Sequence, residues 1–230
     1  ESGCKINHVI QAATVAAVLG LYFMIRTVSY YLPSYSEPAG FILPNIWLLF
    51  ASWQYYKKSQ LNFLVLRGNQ SNMVGVLSIL ATAGSIICVT VIWPKGWSRP
   101  AIINCAALLL VIPFAEELFF RGVLLSWFHK LFKRSSIAVI SLSLLFGALH
   151  LLNGIRASIA AFVLSLALGA ITVKTKSLLW PVAIHSGWNS LVILRELSNE
   201  NDRTIIAAVT ILGLAIITLQ ALITGNKPIS

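Results

Sequence analysis

Residues 113–122 read Pro-Phe-Ala-Glu-Glu-Leu-Phe-Phe-Arg-Gly, and the apolar run around them, Ala101–Phe128, holds no other acidic residue, lysine or arginine. Three ionisable groups in six residues are costly in lipid, at least ~2.5 kcal/mol each on insertion scales. A chain sustains that cost where the groups face one another or a polar cavity. The fold therefore turns on whether the surrounding run crosses a membrane.

Composition says that it does. Of 230 residues, 57% are hydrophobic and 10% charged, and the mean hydropathy is +0.82. Soluble domains run at about 45–50% apolar and about 25% charged. A soluble fold of this size has too little interior to hide the excess, and a disordered chain would be far more polar. Lipid is the remaining cover, so an all-α, polytopic integral membrane protein is expected.

Eight apolar segments follow one another: Val9–Ile25, Ala39–Tyr56, Met73–Trp93, Ala101–Phe128, Ile137–Leu152, Ala157–Val173, Leu178–Leu194 and Thr204–Thr224. Most approach the ~20 residues of a spanning helix, and all are too long and too continuously apolar for barrel strands of about ten alternating residues. The first reads as a span rather than a signal peptide, because further apolar runs follow it. Prolines 33, 38, 94 and 100 punctuate the runs, and tryptophan and tyrosine next to lysine mark interfaces at 53–58 and 93–97. No repeat or second domain is evident, so residues 1–230 read as one membrane domain of about eight helices enclosing a polar cavity.

The net charge is +10. The basic residues sit mainly between apolar runs, where topology and lipid headgroups account for them, and nucleic acid is set aside. With eight spans, ten basic residues fall on the side of the termini and six on the other. The positive-inside rule then puts both termini in the cytoplasm. Cys4, Cys88 and Cys105 share no metal-ligand spacing and read as small hydrophobes.

Helical geometry divides the acidic pair. Glu117 and Arg121 are four residues apart on one face and can pair. Glu116 points about 100° away and is free to meet another helix. The bland reading, a structural ion pair between helices, applies more readily to Glu117 and Arg121 than to Glu116. Two histidines also fall in apolar runs: His150 closes Phe-Gly-Ala-Leu-His, and His185 opens His-Ser-Gly-Trp-Asn, with Asn189 one turn along. His8 and His129 read as solvated. Counted inward from the basic side at ~1.5 Å per residue, Glu116, His150, His185 and Asn189 fall at depths of ~20, ~21, ~12 and ~18 Å. The four can meet near the membrane middle.

Hydrolysis would use such a set. A glutamate and a histidine can hold and deprotonate a water, while a histidine and an asparagine donate to a tetrahedral oxyanion. No serine or cysteine nucleophile with a base is evident. A divalent metal such as zinc, held by Glu116, His150 and His185 with one open position, is the alternative that spacing leaves open.

The three segments resemble the CPBP family, the CAAX prenyl proteases and their bacterial relatives, also called Abi proteins. The carriers are Glu116-Glu117-x-x-x-Arg121, Phe146-x-x-x-His150 and His185-x-x-x-Asn189, each in its own apolar segment, over about 113–190. The resemblance implies an eight-helix core and intramembrane endopeptidase activity. It implies Glu116 as activator of water held by His150, His185 and Asn189 as the oxyanion pair, and Glu117 and Arg121 in support. It implies either a metalloendopeptidase or a metal-free glutamate mechanism, and the metal-free one, with no cofactor required, is preferred here. Substrates of such a family are membrane-associated, prenylated or C-terminally anchored peptides and proteins, and a bacterial plasma membrane is the expected location. Two other readings are a non-catalytic membrane partner (bacteriocin self-immunity or a signalling scaffold) and a proton- or ion-coupled transporter using the same charges.

Overall fold

Residues 2–31, 38–59 and 107–197 are described by the computed structural model, and among them every regular element is helical. Six helices form: α1 (Ser2–Tyr31), α2 (Pro38–Ser59), α3 (107–132), α4 (Ser135–Leu149), α5 (Ile155–Thr175) and α6 (Leu179–Leu197). They correspond to six of the eight expected segments. Met73–Trp93 and Thr204–Thr224 lie outside the described residues.

The boundaries follow from local chemistry. α3 ends where Lys133 turns left-handed (φ 57°) and its N–H closes on the His129 carbonyl at 2.9 Å. α5 ends in the same way at Lys176 (φ 50°). Lysine at these two ends also complements the negative pole of each helix. α4 is shorter than the apolar run Ile137–Leu152 from which it was expected: it stops at Leu149, and His150 leaves the helix at φ −92°, ψ 0°. The chain then turns through Leu151–Asn153 to Gly154, whose φ of 95° and ψ of 162° suit glycine alone. The Gly154 carbonyl accepts the N–H of Ser158 and starts α5.

Packing is antiparallel between chain neighbours. Small residues set the approach of α4 and α5: Gly147 lies against Phe162, Gly169 against Val139, and Ser158 Oγ donates to the Gly147 carbonyl at 2.8 Å. Trp47 of α2 donates its indole N–H to the Val18 carbonyl of α1 at 3.1 Å. α3 runs through the middle, with every residue from Ala115 to Leu125 buried. Its backbone is not uniform. Ala107–Val111 and Leu118–Leu124 are π-type turns, and the Leu125 N–H bonds five residues back to Phe120. Such turns gather at functional sites.

The polarity of the bundle is inside out. Leu43, Ile46, Phe50 and Trp53 form an exposed stripe on α2, as do Ile137, Ile140 and Leu144 on α4 and Ile155, Ile159 and Val163 on α5. Glu116, Glu117, Arg121, Ser143, Ser165 and His185 are buried. Water would not tolerate those outer faces, whereas lipid favours them. Among the described residues α5 is the one helix long and apolar enough to cross a membrane, with a mean hydropathy of 1.9 over its most apolar window.

Candidate active site

The i,i+4 spacing on α3 delivers the expected pair: Arg121 Nη1 meets Glu117 Oε1 at 2.9 Å, and both side chains are fully buried. Arg121 reaches further. Its Nη2 donates to Ser165 Oγ of α5 at 2.9 Å, and its guanidinium carbon lies 4.9 Å from the centre of the Phe146 ring. One arginine thus ties α3 to α5 and α4. Phe146 is the hub of the motif it opens, because its ring also meets Phe120 at 4.9 Å, His150 at 4.6 Å and His185 at 6.1 Å.

His185 of α6 stands between the two carboxylates. Its Nδ1 is 2.7 Å from Glu117 Oε1, and its Nε2 is 3.9 Å from Glu116 Oε2. Since a carboxylate only accepts, Nδ1 carries the proton, and the ring presents Nε2 to Glu116. Glu117 is therefore the orienting group of a carboxylate–imidazole pair as well as the partner of Arg121. Glu116 is turned away from that pair, as its position on the helix required, and its Oε1 accepts the Tyr22 hydroxyl of α1 at 3.2 Å.

His150 is anchored by its Nδ1, 2.8 Å from the Phe146 carbonyl. A carbonyl cannot donate, so the proton is on Nδ1 and Nε2 is the basic nitrogen. Asn189 lies on α6 one turn beyond His185, and its Nδ2 donates to the Leu108 carbonyl at 2.8 Å. That carbonyl needs a donor: in the π turn over Ala107–Val111 its partner would be five residues on, and that residue is Pro113, which has no N–H. One amide hydrogen of Asn189 is used in this way and the second is left for other work.

The structure thus brings Glu116, Glu117, Arg121 and His185 into one buried cluster, sets Phe146 and His150 beside it, and holds Asn189 at the start of α3. Sequence reasoning missed Tyr22 and Ser165. Each carried a weak signal, a hydroxyl inside an apolar run. His129, read as solvated, is exposed and bonded to Ser135 Oγ at 3.1 Å.

Charge balance constrains the cluster. A buried group of ions avoids net charge. Arg121 offsets one of the two carboxylates, and His185 Nε2 faces the other, Glu116, at 3.9 Å.

A zinc-type ion would need its donors about 2.0–2.2 Å from one point, hence roughly 3.4 Å apart. Glu116 Oε2 and His185 Nε2 are 3.9 Å apart, and the other His185 nitrogen belongs to Glu117. Among the described residues no three His, Cys, Asp or Glu side chains are grouped to hold a metal ion.

Residues 97–191 match the model of one protein family, described as type II CAAX prenyl endopeptidase Rce1-like. No curated protein matches the chain, and no solved structure does. The matched stretch contains all three motifs, α3 to α5, most of α6 and the whole charged cluster except Tyr22. Over residues 97–191 the chain is similar to the Rce1-like type II CAAX prenyl endopeptidases.

Proposed function

We propose that this chain is an intramembrane endopeptidase that hydrolyses a peptide bond of a membrane-associated, prenylated or C-terminally anchored substrate, with Glu116 activating the attacking water. The observation that carries this reading is the placement of His185 between Glu117 and Glu116, at 2.7 and 3.9 Å, inside a buried cluster. It is a general base beside an oriented imidazole.

In the proposed working state His185 is protonated on both ring nitrogens. A water lies against Glu116 and His150, whose Nε2 accepts one of its hydrogens. Glu116 takes the other as the oxygen attacks the scissile carbonyl carbon. The new oxyanion accepts hydrogen bonds from His185 Nε2–H and from the second amide hydrogen of Asn189. When the C–N bond breaks, Glu116 gives its proton to the leaving amine, and both the carboxylate and the imidazolium are restored. Arg121 and Glu117 keep the ring of His185 in place throughout. The proposed mechanism requires no metal or other cofactor.

We assign the chain to a bilayer as an eight-span bundle around this polar cavity, with both termini cytoplasmic and a bacterial plasma membrane as its setting. The partners are the lipid bilayer and the peptide substrate, and no nucleic acid is required. The exposed apolar stripes of α2, α4 and α5 support the bilayer assignment.

The test compares cells carrying the wild type and Glu116→Gln at matched membrane levels, with mass spectrometry of new N- and C-termini. Specific termini should vanish in the variant, and those peptides name the substrate. Unchanged termini, with a null phenotype still rescued by Glu116→Gln, would overturn the protease reading and favour the non-catalytic membrane partner.

A further inference from the structure

The charged cluster has one member that the matched family segment does not contain. Tyr22 belongs to α1, 94 residues before Glu116, and donates its hydroxyl to Glu116 Oε1 at 3.2 Å. It is 2% exposed, while Phe23 and Met24 beside it are 40% and 55% exposed. α1 therefore faces outward along most of this turn and sends one polar-tipped side chain inward. Val18, one turn earlier on the same face, is held by Trp47 of α2. The position of Tyr22 is fixed from both sides.

The bond has a consequence for the carboxylate. The last torsion of a glutamate side chain is broad and roughly two-fold, so the two oxygens exchange easily unless something holds one of them. The Tyr22 hydroxyl holds Oε1. Oε2 is then the oxygen that faces His185 Nε2, at 3.9 Å. A base that must take a proton from water and return it to an amine works from one lone-pair direction, and fixing that direction in advance removes a reorganisation from the barrier.

We propose that Tyr22 is the positioning residue of Glu116, and that α1, outside the matched segment, is a functional part of the site. The proposal rests on the reading of Glu116 as the base. Tyr22 touches Glu116 rather than the reacting atoms, so its effect belongs in turnover and not in substrate binding.

The experiment uses the full chain, purified in detergent, and a quenched-fluorescent peptide spanning the bond identified by the comparison of termini. Three proteins are measured: wild type, Tyr22→Phe and Glu116→Gln. Phenylalanine keeps the ring and removes only the hydroxyl. Tyr22→Phe should lower kcat about ten-fold, as expected for loss of a hydrogen bond to a charged group, and leave KM within about two-fold. Its thermal midpoint should match that of the wild type. A wild-type kcat in Tyr22→Phe, with Glu116→Gln inactive, would overturn the role of Tyr22 and leave the protease reading intact. A lower thermal midpoint with kcat and KM altered together would show that the hydroxyl serves only the packing of α1, and would also overturn the proposal. Activity in Glu116→Gln would remove the base itself and the proposal with it.

Discussion

α3 and α5 are parallel neighbours that solve opposite problems. α3 carries Glu116, Glu117 and Arg121 at 3%, 0% and 2% exposure, inside a stretch from Ala115 to Leu125 that is buried throughout. α5 is the one described helix long and apolar enough to cross a membrane, and it shows Ile155, Ile159 and Val163 to the outside. The backbones differ as well. α5 is α-helical from end to end, whereas α3 changes to π-type turns before Pro113 and again after Glu117. Charge is carried by the buried stretch of α3, and backbone irregularity falls on that helix too. A hydrogen bond from Arg121 to Ser165 links the two. The comparison teaches that the cluster depends on its shield: α5, α4 and α6 keep lipid away from α3, and each supplies a group to it.

The sharpest way to break the comparison is to remove the charge that has a chemical purpose. Glu116→Gln should reduce cleavage by about 10²–10⁴-fold, the usual range for a general acid–base group. Its folding should survive, because the amide still accepts from Tyr22. Stability in detergent and the rate of cleavage, measured on the same preparation, check both halves. A large loss of stability would place Glu116 with the structural charges rather than the reacting ones.

Removing the structural charge should do the reverse. Arg121→Met leaves Glu117 ionised and buried with only His185 as partner, and should cost about 3–5 kcal/mol. The paired change Glu117→Gln with Arg121→Met removes the orphaned charge and should recover part of that loss, while activity stays low because His185 is no longer oriented. Arg121→Lys should not rescue, since an ammonium cannot span Glu117 and Ser165 with the fixed fork of a guanidinium. Denaturation in detergent measures all three.

The shield itself can be loosened at Gly147. A Cβ there would meet Phe162 Cβ at 3.0 Å and the Ser158 carbonyl at 3.1 Å, neither of which is the end of a flexible side chain. Gly147→Ala should push α4 from α5 and cost about 1–3 kcal/mol, the usual price of overpacking. The thermal midpoint should fall, and activity with it, because Phe146 next in sequence is the ring on which Arg121 and both histidines rest.

Much of the site was legible because helical spacing is local. The i,i+4 rule gave the bond from Glu117 to Arg121, and the 100° step turned Glu116 toward another helix. Apolar run length gave α5 and α6 to within a few residues. What spacing could not supply was the identity of partners on other helices. Tyr22 and Ser165 are single hydroxyls in apolar runs, and nothing local separates them from hydroxyls that bond their own helix. The expected sharing of one oxyanion by His185 and Asn189 rested on their common face. That argument is silent about which neighbour each meets, and the structure turns the His185 ring to Glu117 and the Asn189 amide to Leu108. Pro113, five residues after Leu108, was the available clue to the second. The end of α4 at Leu149 was hidden because Leu151 and Leu152 prolong the apolar run past the turn that Gly154 imposes.

The smallest expected effect tests the hydrogen bond between α3 and α5. Ser165 and Ser143 are both buried in apolar helices, with exposures of 1% and 0%. Ser143 donates to the Val139 carbonyl of its own helix, an acceptor already served by the backbone, while Ser165 accepts from Arg121 Nη2. Ser143→Ala removes a bond that leaves no group stranded and should change stability by less than about 0.5 kcal/mol. Ser165→Ala strands one N–H of a buried guanidinium whose Nε already lacks a partner, and should cost about 1–2 kcal/mol. Thermal unfolding of the two variants in one detergent reads the difference. Equal effects would mean that α5 acts on α3 through packing alone, and a larger loss in Ser165→Ala would assign part of the shield's contribution to one hydroxyl.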